Sequence, residues 1–537
     1  MSSRQPLDGE RFDVIVIGGG INGVAIAREC ARGGRRTLLV EQHDFASGTT
    51  CRSTRIIHGG LRYLEHSDIA QVRESLRERQ RLARAYPNLV TPMEFLLALD
   101  RSGRRSALAV RVGLWLYKQF GGSFGEISNN GNAAAQLERL LDAGREFSIF
   151  SFEDAQCEFP ERLVAQWLIE ALAAGCVARN HTQVLTVKLS NGRAVGARLR
   201  DRITNSEESV NSTWVINSSG PWADQICQLA NIQTKHPMIG GVRGSHVVLP
   251  PFPGMPDAAV YAEAADGRPF FVIPWNGQIL VGSTEVADRG DPGQAQPSGD
   301  EIQYLLTSLR RLFPNVSTGL NDMRYAFAGV RPLPYSPDSN PSAITRRHHL
   351  HDHADDGAAG MISVIGGKLT TAASLARECA EKIGVAPKRP AVLPVVAQDR
   401  IDDLLERRVS EIAAKGKISH ESAQGLAEWF SDRAAAIAQM AAENESLRAP
   451  LCPGTEHIVS EAVYAFEHEA AVTLADVLLR RVPVALSGNW SEESGREGAN
   501  RIGNAIGWDE RRVAQELEGF EEERCAFLKK PTALLPR

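Results

Sequence analysis

The chain lacks any close pair of cysteines: its eight, Cys30, Cys51, Cys157, Cys176, Cys227, Cys379, Cys452 and Cys525, stand at least nineteen positions apart. That spacing excludes the paired thiols that grip zinc or an iron–sulfur cluster and leaves reduced, buried fillers of a cytosolic protein as the expectation. Long apolar runs are missing as well. No stretch approaches the roughly 18 apolar residues of a membrane span, and the polar opening Met1–Arg11 lacks the apolar core of a signal peptide, so a cytoplasmic chain is expected. An excess of charge is also absent, since 60 basic and 65 acidic side chains leave a net charge of −5 and no global basic field for nucleic acid. What is present is 537 residues, 43% of them hydrophobic and 23% charged, a globular composition long enough for several domains.

The pattern changes type twice from Phe12. Asp13–Ile17 is a β-branched run suited to a buried parallel strand, Ile21–Arg32 carries Val24, Ala27 and Ala31 at helical spacing, and after Gly33-Gly34 the run Thr37–Val40 makes a second strand ending at Glu41. Short strands between Gly/Pro turns fill the middle, including Val184–Leu189, Thr213–Asn217, Gly244–Leu249, Phe270–Pro274 and Ile279–Val281. Met361–Ile365 is a further apolar run that ends in Gly366-Gly367. Past Lys388 a Pro-rich stretch leads into Ala-, Glu-, Leu- and Arg-rich sequence of helical period.

Gly18, Gly20 and Gly23 form G-x-G-x-x-G between the first strand and its helix, with Glu41 eighteen residues beyond Gly23. The first glycine permits a tight turn, the second lets backbone approach a pyrophosphate, and the third lets the helix pack on the strand. The helix N-terminus then faces phosphate, and Glu41 is placed to accept from ribose hydroxyls. Strand, spacing and acid together predict a dinucleotide site, although they do not separate FAD from NAD.

Further segments separate them. DFASGTTCRSTRIIHGGLRYLE, INSSGPWAD, RGSHVVLP, FVIPW, GSTE, AGVRPL, AITR, GGKLTT and, near the C-terminus, YAFEHEAAVTLADVLLRR resemble FAD-dependent glycerol-3-phosphate dehydrogenases of the respiratory type, within the glycine/D-amino-acid-oxidase-like flavoproteins. The resemblance spans nearly the whole chain. It implies an α/β fold: a Rossmann-like FAD-binding domain (1–90, 150–235 and 340–390), an α+β substrate or cap domain (91–149 and 236–339) and a C-terminal α-helical domain (391–537).

By the same resemblance, His58, Arg62, Tyr63, His246, Arg331 and Lys368 line the substrate side of the flavin. His58 is the expected base and His246 the second choice, because neutral imidazole takes a proton near pH 7. Arg331 is expected on the substrate phosphate, helped by Arg62 and Lys368, since a guanidinium fork suits a phosphate. Flavin contacts are assigned to Gly18, Gly20, Asn22, Gly23, Glu41, Ser53, Thr54, Gly59, Gly60, Gly220, Gly367, Lys368, Thr370 and Thr371. The implied activity is oxidation of sn-glycerol 3-phosphate to dihydroxyacetone phosphate, with electrons passed to a quinone or another acceptor. An amine or amino-acid oxidase on the same scaffold, and a flavin-binding membrane-associated scaffold without turnover, are the alternatives.

Three features stand outside that frame. Basic Arg101–Arg105 precedes Ala107–Tyr117, a pattern that fits either a helix lying on an anionic lipid surface at the inner face of the membrane or one packed on its own core. The tract His348-His349-Leu350-His351-Asp352-His353 runs into a polar turn and is read as a solvated loop, without metal. Where many family members carry Asp-Asp-Ala-Arg-Leu, this chain has Phe159-Pro160-Glu161-Arg162-Leu163 and keeps only the final Arg-Leu, as either a neutral surface change or an altered substrate pocket. The C-terminal domain carries no catalytic signal and is assigned to support, assembly or docking; a homodimer stays open.

Overall fold

The opening β-branched run forms a strand, Arg11–Ile17, followed by the helix Ile21–Arg32 and the strand Thr37–Val40. Val14, Ile15 and Val16 are fully buried because both faces of the strand are covered, the condition that selects an uninterrupted apolar run. The structure is a computed structural model describing residues 5–61, 68–102, 105–121, 132–337, 344–386 and 398–531, with backbone only at 398–404.

The first sheet runs, edge to edge, through His349–Asp352, Met361–Ile365, Glu207–Asn217, Arg11–Ile17, Thr37–Val40 and Val177–Arg179. All neighbours are parallel except the first pair, and Thr182–Ser190 with Arg193–Asp201 continues as an antiparallel meander from Glu207–Asn217. The helices Ile21–Arg32, Pro160–Ala173 and Ala372–Lys382 share one core through Val24, Ala27, Trp167 and Leu375. Small alanines on the first helix let its neighbours approach closely.

A second, nine-stranded and mostly antiparallel sheet is built around Val242–Leu249, which pairs with Gln278–Gly282 and Tyr325–Arg331. Ile56–Ile57 pairs in this sheet with Phe147–Gln156, a strand that runs across the boundary expected at 150, so 56–57 and 150–156 share a sheet with the expected cap segments. Helices from Gln398–Gly416 to Glu510–Phe527 make the C-terminal unit. All eight cysteines are free thiols and seven are buried.

Two surface expectations fail. His349–Asp352 is an edge strand rather than a solvated loop, because its alternation turns Leu350 inward and the following turn carries His353 to full burial. Glu161 and Arg162 are buried too: Glu161 makes a two-pronged ion pair with Arg55 at 3.0 and 3.1 Å, and Arg162 another with Glu469 of the C-terminal unit at 2.7 and 3.1 Å. The segment 159–163 is therefore a junction between units, and the departing Glu161 within it is neither on the surface nor part of the cavity wall described below. Among the described residues no helix is long and apolar enough to cross a membrane.

Candidate active site

Four parallel strands of the first sheet end side by side at Ile17, Val40, Asn217 and Ile365, and the next residue of each, Gly18, Glu41, Ser218 and Gly366, lines one cavity of about 860 Å³. A cleft outside the carboxyl ends of parallel strands is where open α/β sheets bind ligands. Gly18 has φ +103°, and a Cβ there would lie 2.5 Å from the Ser218 carbonyl oxygen. Glu41 accepts the Gly19 N–H at 2.7 Å and the His43 N–H at 2.9 Å, while burial raises its carboxyl above the ordinary value. Asn22 donates to the Gly366 carbonyl at 3.3 Å.

The cavity fits a dinucleotide on its own chemistry. The N-terminus of the helix Ile21–Arg32 opens into it, an anion-binding end. Two buried atoms of its wall, Asn22 Oδ1 and Ser218 Oγ, have no hydrogen-bond partner among the described residues, an unmet polar demand that a ligand answers. A Cβ on Gly367, whose φ is +97°, would lie 2.5 Å from Asn22 Nδ2, so this turn too is reserved for close backbone approach.

His58, His246, Arg331 and Lys368 line the same cavity. His58 follows the strand Ile56–Ile57 and is clamped by Thr370, whose hydroxyl accepts its N–H at 3.2 Å and reaches its carbonyl at 3.3 Å. Burial first, then the cations Lys368 and Arg346, push the imidazole down to about 3, so it is neutral near pH 7. His246 stacks on Phe327 at 5.0 Å, meets Thr54 Oγ1 at 3.0 Å through Nε2, and is pushed down to about 3 by burial and Arg331. Arg331 ends the strand Tyr325–Arg331, donating to Thr284 O at 3.2 Å and Ser283 Oγ at 2.5 Å. It crosses so close to Gly244 that a Cβ there would lie 2.3 Å from the guanidinium. Lys368 donates to Ser75 Oγ at 2.9 Å and is pushed down to about 7, chiefly by burial.

Ser53, Thr54, Gly60, Gly220 and Thr370 also line the cavity, with Gly20, Asn22 and Gly367. Three assigned positions lie behind the wall instead. Gly23 packs the helix on the turn, where a Cβ would lie 1.8 Å from Gly18 O; Gly59 donates to Tyr117 Oη at 2.7 Å and abuts Leu76; and Thr371 is buried at the start of Ala372–Lys382. Arg62 and Tyr63 lie outside the described residues.

Sequence reasoning missed Arg346, which lines the cavity and is paired with Glu285, although the AITR segment carries it. It also missed Gly519, Glu522, Glu523 and Ala526 of the helix Glu510–Phe527, through which the C-terminal unit walls the cavity. No local pattern marks them.

Comparison with known proteins agrees with this geometry. Residues 13–373 match the family described as FAD dependent oxidoreductase, and residues 363–513 match the C-terminal domain of alpha-glycerophosphate oxidase. A glycerol-3-phosphate dehydrogenase from Synechocystis is 34% identical over 533 residues, covering 95% of this chain and 96% of that one. A D-erythritol 1-phosphate dehydrogenase from Brucella abortus is 34% identical over 377 residues, covering 68% and 72%. The glycerol-3-phosphate dehydrogenase of Bacillus halodurans, solved with FAD, has the same fold at a TM-score of 0.77 and 23% identity, over 99% of this chain and 97% of that one. The cofactor is FAD, and the chain belongs to the FAD dependent oxidoreductase family, on its glycerol-3-phosphate dehydrogenase branch.

Proposed function

We propose that the chain oxidises the secondary hydroxyl of sn-glycerol 3-phosphate to the ketone of dihydroxyacetone phosphate. The observation that carries this reading is the meeting of two guanidiniums, Arg331 and Arg346, and the Lys368 amine with a neutral imidazole, His58, in the cavity that Gly18, Asn22 and Gly367 open to the flavin. FAD, when bound, supplies a ring that accepts the hydride leaving C2.

The protein's share is binding and proton transfer. Arg331 presents a planar fork to the phosphate dianion and holds the glycerol end toward His58. The neutral imidazole takes the O2 proton as the C2–O bond becomes a carbonyl. Its low proton affinity in the free protein comes partly from Lys368 and Arg346. A dianion laid against those cations offsets their field, so arrival of the substrate itself raises the basicity of His58.

Anaerobic mixing of the yellow protein with glycerol 3-phosphate tests this. Rapid bleaching of the flavin band supports it, bleaching by amino acids alone supports an oxidase, and no bleaching with any of these compounds or the four-carbon polyol phosphate supports a scaffold without turnover. The relationship to the Brucella protein favours a second candidate, a four-carbon polyol phosphate, and bleaching faster with D-erythritol 1-phosphate selects it.

Lys368 adds a pH dependence. Because its folded value is lowered to about 7, it is charged below that pH and neutral above, so KM for the phosphate rises as pH passes through about 7. Steady-state measurement between about pH 6 and about pH 9 shows this step in the native protein, and Lys368→Met removes it while raising KM on the acid side.

We further infer that the electrons leave for a membrane quinone or a comparable acceptor and that the protein reaches lipid through the helix Ala107–Gly121. That helix supports the reading by exposing Leu108 (69%), Val112 (50%) and Trp115 (60%) on one face, with Arg111 and Lys118 also exposed. Replacing Leu108 and Trp115 together by serine is expected to abolish cosedimentation with anionic vesicles without changing flavin content; full retention on the vesicles rules this helix out as the contact.

A further inference from the structure

The antiparallel edge of the first sheet carries a side-chain cluster apart from the flavin cavity. His351 and His353 stand two apart on one face of the chain, and the turn after them brings Asp356 back over both. Main-chain bonds hold that turn: the N–H groups of Asp356 and Ala358 reach His353 O at 3.1 and 2.9 Å, and the His353 N–H reaches Met361 O at 3.1 Å. One ligand atom from each of the three side chains lies within 4.8 Å of the others. Asp356 Oδ2 is 2.7 Å from His351 Nε2 and 2.8 Å from His353 Nδ1, so two imidazoles converge on a single carboxylate oxygen.

We propose that His351 Nε2, His353 Nδ1 and the Asp356 carboxylate form a binding site for a divalent transition-metal ion of the zinc class. Two imidazole nitrogens and one carboxylate suit zinc, cobalt or nickel, whereas magnesium and calcium take oxygen ligands. Around a tetrahedral ion with bonds of about 2.0 Å, neighbouring ligand atoms stand about 3.3 Å apart, so each N···O separation here opens by roughly half an ångström when an ion replaces the hydrogen-bonding proton. The His351 side chain is 33% exposed and Asp356 sits on a turn, which gives both room to move and the ion a path in; His353 is at 0% and supplies the fixed point.

The surroundings of His353 match those of a ligating histidine. Its other nitrogen, Nε2, lies 2.7 Å from Ser363 Oγ, a hydroxyl able to accept or donate. With the cluster bridged by a proton, His353 Nδ1–H donates to Asp356 and Ser363 donates to Nε2; with an ion, the ring proton sits on Nε2 and Ser363 accepts it. The change is a tautomer shift, with no net gain or loss of protons on the ring. Ser363 Oγ in turn accepts from Asn217 Nδ2 at 3.0 Å, and Asn217 Oδ1 accepts from Ser219 Oγ at 2.6 Å, Ser219 being part of the cavity wall. An ion here staples the edge hairpin to the strand Glu207–Asn217 and, through that chain of hydrogen bonds, braces the wall of the flavin cleft.

Chelator-treated holoenzyme titrated with cobalt(II) tests the site, since tetrahedral cobalt absorbs to the red of the flavin band. One equivalent per chain is expected to give a saturable red absorption and to raise the melting temperature. His351→Ala and Asp356→Asn, each retaining bound flavin, are expected to weaken binding at least about tenfold. His348→Ala is expected to leave it unchanged, because His348 pairs with Glu378 at 2.8 Å, outside the cluster. Absence of a saturable band in the native protein, equal binding by His351→Ala and the native chain, or a loss confined to His348→Ala would each overturn the proposal. Zinc competing cobalt off the native protein mole for mole supports it; failure to compete removes the zinc-class assignment.

Discussion

Arg331→Ala is expected to raise KM for glycerol 3-phosphate by roughly ten- to a hundredfold, the equivalent of about 1.5–3 kcal/mol for hydrogen bonds to a charged group, and to leave bound flavin intact. The two effects separate because different residues carry them. The guanidinium is held by Thr284 O and Ser283 Oγ, which follow the strand Gln278–Gly282 of the second sheet, whereas the residues read as holding flavin, Gly18, Asn22, Glu41 and Gly367, stand just past the strand ends of the first. A change in KM alone means that Arg331 binds ground state and transition state equally; a matching fall in kcat means that phosphate binding also aims C2 at the flavin and O2 at His58. Arg331→Lys keeps the charge and loses the fork, so only partial recovery is expected. Initial rates read beside the flavin-to-protein absorbance ratio give both quantities, and a KM unchanged in Arg331→Ala removes this residue from the phosphate.

How far the sequence was legible follows from the range of the forces involved. The unit from Arg11 to Val40 was readable nearly to the residue because strand run, glycine turn and amphipathic helix are set by neighbours in sequence. Position relative to the cavity was harder. Gly23, Gly59 and Thr371 belong to matching segments, and a segment match does not say which side of the backbone faces the flavin. Arg346 and Glu522 become neighbours of the site only when distant parts of the chain meet. The histidine tract looked solvated because its composition is polar, yet His353 is buried with each ring nitrogen facing a partner, an arrangement that composition does not encode. Likewise the segment at 159–163 stands out in the sequence only by difference from a family pattern, while the partners that explain it, Arg55 and Glu469, lie 106 and 307 positions away.

Asp44→Ala is expected to destabilise the protein by about 3–5 kcal/mol, a large part of the roughly 5–15 kcal/mol that holds a typical domain folded, and to speed flavin release. Asp44 lies three residues past Glu41 with its side chain at 0% exposure, and it joins the nucleotide unit to the C-terminal one. Arg480 Nε reaches it at 2.5 Å and Arg481 at 2.7 and 2.8 Å, with Asn180 Nδ2 at 3.0 Å. Removing the carboxylate takes both side-chain acceptor bonds from Arg481, leaving its buried guanidinium with the Glu469 carbonyl alone beside a cavity, while Arg480 keeps Asp476 at 3.2 Å and Glu523; a buried charge stripped of its partner is worse than one never placed there. Arg480 also holds Glu523, a residue of the flavin cavity wall, so the disturbance reaches the cofactor. Asp44→Asn keeps the volume and should lose nearly as much, because the charge rather than the packing is removed. Burial alone would raise the Asp44 carboxyl, but Arg481 and Arg480 together hold it below its ordinary 3.8. Its contribution is therefore fully present above that pH and is lost as pH falls through the lower folded value, so the gap between native protein and Asp44→Asn should be widest at neutral pH and narrow in acid. Urea unfolding followed by flavin fluorescence at several pH values measures this, and equal midpoints at pH 7 would show that the Asp44 cluster does not hold the two units together.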